Sequence, residues 1–165
     1  MDPVLGALLG TIVGGLISFL TASRLSRRQA EKDRRSLVVA KVEELYAAAM
    51  DTREAFRLAW GAVVGALASG DFSDYLDRVP KLSTDRVSML VNIYAPSLRD
   101  SLKELEGAAT EFRDRVGDVL GVIDLPRPQR DVAEPPLTRA HEALSARFES
   151  LLLEVSRVGH DHLRS

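Results

Sequence analysis

From Pro3 to Ala22 the chain presents 20 consecutive residues without a charged side chain, PVLGALLGTIVGGLISFLTA. At about 1.5 Å per residue a helix of that length measures roughly 30 Å, the thickness of a bilayer hydrocarbon core. One rival reading is a buried helix of a soluble protein, but small soluble domains rarely hold a helix that long and apolar on every side. A cleaved signal peptide is another, and Thr21-Ala22-Ser23 offers small residues like a cleavage site. A signal peptide carries a positive n-region, however, and only Asp2 precedes this stretch. The sequence therefore predicts an uncleaved transmembrane anchor over residues 1–23.

The flanks give its direction. Arg24, Arg27, Arg28, Lys32, Arg34 and Arg35 follow the stretch, offset only by Glu31 and Asp33. The positive-inside rule places that side in the cytoplasm, so the expectation is a single-pass protein of the bacterial inner membrane with its N-terminus outside. Those six cations would then sit at anionic lipid headgroups. The whole chain has a formal charge of −2, so no global basic field points to nucleic acid, and none is expected as a partner.

Small residues recur at every fourth position of the stretch: Gly6, Gly10, Gly14, Ser18 and Ala22. Hydrophobicity cannot drive helices together among lipid tails, whereas close backbone approach along small residues can. The stripe predicts self-association, or pairing with a partner's helix. The competing reading is a loosely packed anchor with incidental glycines.

No proline occurs between Val4 and Val79, so the membrane helix has no forced break as it leaves the bilayer. Residues 24–36 lack an apolar stripe and read as a solvated connector helix, with Arg27–Glu31 and Glu31–Arg35 at supporting spacing. From Val38 a heptad begins: Val38, Val42, Leu45, Ala49, Thr52, Phe56, Ala59, Val63 and Ala66. Ser69-Gly70-Asp71 is its stop signal. The run AWGAVVGALA over 59–68 reads as a central core turn, in which Gly61 and Gly65 let a neighbour approach.

Residues 71–82 read as a short helical turn closed by Pro80. Ser83-Thr84-Asp85 cap a short helix over 84–95, and Pro96 interrupts or restarts the chain. A second seam follows through Leu98, Leu102, Leu105, Ala109, Phe112, Val116, Val119 and Ile123. Residues 124–136 hold four prolines and read as an exposed connection. A third seam runs Leu137, His141, Leu144, Phe148, Leu151, Val155, Val158 and His162. No strand signal appears. The fold class is all-α: a transmembrane helix, then a cytosolic antiparallel bundle of three long heptad helices and a short one over 37–165. That domain has 16 Lys and Arg against 21 Asp and Glu, so it should hang below the anionic leaflet while the basic neck is drawn to it.

The search for chemistry is mostly negative. The chain has no cysteine, which removes disulfides, thiolate nucleophiles and cysteine metal sites. His141-Glu142 begins like HExxH, but Ser145 stands where the second histidine must be. His160 and His162 on a helix point apart by about 200°, so they do not converge on a metal. Gly10 and Gly15 have P-loop spacing, but Leu16 replaces the lysine. No catalytic residue, metal or cofactor is expected. His141 reads as a core histidine before a base or pH switch, and Trp60 and Tyr46 read as core anchors.

A glycine-rich single span, an Arg-rich neck, KVEELYAAAM with its Leu45-Tyr46 pair, and SMLVNIYAPSLRDSL with Leu90, Tyr94 and Pro96 together resemble an architecture that recurs among small bacterial membrane proteins. The resemblance implies architecture and brings no catalytic residues. Some proteins of this kind look like accessory or effector parts of defence systems. Two functions follow as leading expectations. One is a non-enzymatic membrane protein that self-associates through its span and uses its bundle to bind a protein partner or sense a state. The alternative is a membrane-permeabilising effector whose glycine stripe packs an oligomeric pore. An enzyme is the third.

Overall fold

In the computed structural model, the structure describes the backbone of residues 3–71, 81–122 and 125–164, and within these the side chains of 25–26, 29–71, 81–122 and 125–161. Two compact units make up the chain, Met1–Val38 and Val39–Ser165. Helix α1 covers Pro3–Ser69 and contributes to both. Its remaining companions are α2 (Asp85–Tyr94), a 3₁₀ turn (Pro96–Leu98), α3 (Arg99–Leu120), a short α4 (Arg127–Asp131) and α5 (Glu134–Arg164). Among the described residues there is no strand.

In the first unit the described side chains are all solvent-exposed up to Leu37. Arg35 pairs with Glu31 at 3.1 Å, and Gln29 Nε2 donates to Asp33 Oδ1 at 3.4 Å, both one turn apart. Such exposed contacts contribute only a few tenths of a kcal/mol, roughly 0.3–0.5 each. Among the described residues no helix is long and apolar enough to cross a membrane. The predicted span lies outside the residues whose side chains are described, and with it the stripe of Gly6, Gly10, Gly14, Ser18 and Ala22.

The second unit is a helical bundle whose core is the set of heptad seams. On α1, Val42, Leu45, Ala49, Phe56, Ala59, Val63 and Ala66 are buried. On α3 it is Leu102, Leu105, Ala109, Phe112, Val116 and Val119. On α5 it is Leu137, Leu144, Phe148, Leu151 and Val155. The seams meet in three phenylalanines: the Phe56 ring lies edge-on to Phe112 at 5.6 Å and tilted against Phe148 at 6.0 Å. Rings prefer such tilted contacts because the positive edge of one meets the negative face of another.

Long-range contacts fix the directions. Arg53 binds Glu149 at 2.9 Å and Trp60 lies against His141, so α5 runs against α1. Arg147 binds Glu104 at 2.7 Å and Ser101 Oγ donates to Glu154 at 2.6 Å, so α5 also runs against α3. Arg86 meets Glu44 at 3.2 Å and Lys41 lies over the Tyr94 ring, which makes α2 the descending member between α1 and α3. The order is up, down, up, down, with α2 the short one.

Several details differ from the sequence expectations. The 59–68 run is buried on one side only: Ala59, Val63, Ala66 and Leu67 face the core, whereas Gly61, Gly65 and Ala68 are exposed. A Cβ added at Gly61 or Gly65 would meet nothing within 4 Å, so neither glycine serves a close approach within this bundle. At the start of α2 no side chain of Thr84 caps the helix; Ser83 Oγ accepts from the Asp85 amide at 3.1 Å instead. The proline-rich connection contains the helical turn α4, and α5 begins at Glu134, with Pro135 and Pro136 in its first turn, where a missing N–H is harmless. The predicted stop of α1 is realised at Gly70. Its φ of 75° is one glycine takes without strain, and its N–H closes on the Ala66 carbonyl at 2.7 Å. The helical turn expected over 71–82 falls almost wholly outside the described residues.

Candidate interaction surface

Of the six cations assigned to lipid headgroups, Lys32, Arg34 and Arg35 are described and exposed, with Arg35 held by Glu31. Arg24, Arg27 and Arg28 lie outside the described side chains.

The bundle's most distinctive surface is the seam between α1 and α5. Tyr46, expected inside, is 42% exposed. The α1 heptad explains this: Leu45 takes the core position, and its neighbour is turned about 100° away. Tyr46 stands between two hollows. One, of about 200 Å³, is lined by Val39, Val42, Val155 and Gly159 among others. The other, of about 330 Å³, lies against Glu149, Leu152, Leu153 and Ser156. Leu153 at 62% exposure and Met50 at 41% complete an apolar strip here. No sequence signal marked it, because an exposed leucine looks like any other in a heptad count.

Further along the same seam, Trp60 of α1 and His141 of α5 are stacked, with ring centroids 4.6 Å apart and planes within 11°. Phe112 of α3 leans on the imidazole at 6.1 Å. His141 therefore occupies a seam position in the bundle, as its spacing predicts, although it is half-buried. Burial pushes its pKa below the ordinary 6.5; Glu142 opposes the shift and Arg53 and Arg57 reinforce it. Among the described residues the Trp60 indole N–H is buried without a hydrogen-bond partner. Sequence reading found both residues but not their pairing; the antiparallel register set by Phe56 and Phe148 is what brings them together.

Ser145 lies one turn beyond His141, His160 is exposed near the end of α5, and no group of three metal-ligating side chains occurs among the described residues. No family model, curated protein or solved structure matches the chain.

Proposed function

We propose that the chain is a non-enzymatic, single-span inner-membrane protein that self-associates through Gly6, Gly10, Gly14, Ser18 and Ala22 and offers its helical bundle to a protein partner on the cytoplasmic side. The observation that carries this reading is the uncharged stretch from Pro3 to Ala22 followed at once by six basic residues against one acidic residue before it. That combination suits an anchor with a cytoplasmic C-terminus and few other structures. The exposed side chains of Tyr46, Met50 and Leu153 supply apolar surface for such a partner.

Four measurements test it. Carbonate extraction should leave the full-length protein in the membrane, and a C-terminal reporter active only in the cytoplasm should work; release, or the reverse reporter pattern, overturns the anchor or its direction. Gly10→Ile keeps the span apolar but holds backbones apart, so cross-linked oligomers should disappear while Leu8→Ile, off the stripe, retains them. Expression should leave the membrane potential intact. Depolarisation that Gly10→Ile abolishes would replace this reading with a pore-forming effector.

A further inference from the structure

We propose that the Trp60–His141 stack is a proton-sensitive latch that holds α5 on α1 while the imidazole is neutral and releases it when the imidazole is charged. The inference concerns the bundle alone and does not depend on the membrane reading. His141 sits among rings, with Trp60 stacked on one side and Phe112 tilted against it. The charges bearing on it are Arg53 and Arg57 from α1 and Glu142 from its own helix; from α3 the ring of Phe112 faces it. Burial removes the water that would solvate an imidazolium; Glu142 offsets part of that cost, and Arg53 and Arg57, each paired with a carboxylate of its own (Glu149 and Glu54), add to it. The indole face would attract an imidazolium, which works against the burial that lowers the pKa.

The closed latch also carries an unmade bond. The Trp60 indole N–H is buried without an acceptor among the described residues, and parting α5 from α1 would give it water. The neutral stack thus holds against a standing pull towards opening, the condition under which one proton can tip a two-state element. The sign is fixed by linkage. Because the closed state binds the proton less readily than the open one, stability is full above pH 6.5 and falls as pH drops through that value.

Trp60 is the only tryptophan, so its fluorescence reports the stack directly. The full-length protein is titrated from about pH 8 to about pH 5. The expected result is one transition with its midpoint below 6.5, accompanied by a rise of about threefold or more in amide exchange along α5, corrected for intrinsic rates. His141→Gln should lose both. Glu142→Gln should lower the midpoint and Arg57→Gln should raise it; both side chains are exposed, so these variants fold even where His141→Gln does not. A wild type without the transition, a His141→Gln protein that keeps it, midpoints that ignore Glu142 and Arg57, or a transition without faster exchange would each overturn the latch.

Discussion

Arg130 of α4 donates from Nη1 to the carbonyl oxygen of Leu67, 3.0 Å away and 63 positions earlier in the chain. The last carbonyls of a helix have no partners within it and carry the negative end of its dipole. A guanidinium is well suited to that place, and here it arrives from the proline-rich connection between α3 and α5. The same side chain lies beside Gly70, where an added Cβ would sit 2.5 Å from Arg130 Nη1.

Removing this cap should loosen the far end of the bundle. Arg130→Ala is expected to cost about 1–2 kcal/mol, less than a fully satisfied buried charge would, because Nε has no partner among the described residues. Gly70→Ala should cost about 1–2 kcal/mol through its left-handed backbone. Urea unfolding of each variant and of the double variant checks both values, and because the residues touch, the two losses should not add.

The phenylalanine cluster should dominate the core. Phe112→Ala removes the ring that meets both Phe56 and His141 and should cost about 3–5 kcal/mol in thermal or urea unfolding. Leu105→Asp and Leu151→Asp, both at positions with 0% exposure, should each cost several kcal/mol by burying a charge, roughly 3 or more. A fragment beginning near Ser36 is the natural host for these measurements and should be soluble, strongly helical and cooperative.

The two glycines on the outer face of α1 predict gains. Since a Cβ at Gly61 or Gly65 meets nothing within 4 Å, alanine there should raise stability by about 0.5–1 kcal/mol each, through lower entropy of the unfolded chain. If either substitution instead lowers the midpoint of unfolding, the face is covered in the folded protein.

Acid should remove the Arg86–Glu44 contact that ties α1 to α2, and base the Lys41–Glu44 pair within α1. Lys41 and Arg86 hold the Glu44 carboxyl below its ordinary 4.5, so this stabilisation is present above that value and lost as pH falls towards the depressed one. Glu44 in turn raises Lys41 above 10.5, so its part persists to that pH and disappears beyond it. Glu44→Gln should flatten the melting temperature at both limits and leave the neutral region least changed.

The heptads made most of this fold readable. A seam residue such as Leu105 or Phe148 is apolar because it must be buried, and spacing alone locates it. Small residues carry no such signal: Gly61 and Gly65 look like packing glycines, yet they lie outside, because glycine removes too little surface from water to reveal its face. Tyr46 failed as a core anchor for a related reason, since its ring and hydroxyl suit an interface as well as an interior. The Arg130–Leu67 contact was invisible because nothing local links a basic residue in a proline-rich loop to a carbonyl so far up the chain. The Trp60–His141 pair needed the register between α1 and α5, which only the folded helices supply.

The antiparallel register has a mechanical consequence. A Cβ on Gly159 would lie 3.4 Å from Val42 Cγ1, so the bundle's chain enters and leaves side by side. Tension drawing those two ends apart would part α1 from α5 like a zipper, one layer at a time. It would open the layer of Tyr46 first and the Arg53–Glu149 tie next, reaching the Phe56–Phe148 contact only after both. The bundle should therefore yield at low force when pulled by its ends and resist far better when the same load is applied along the helices.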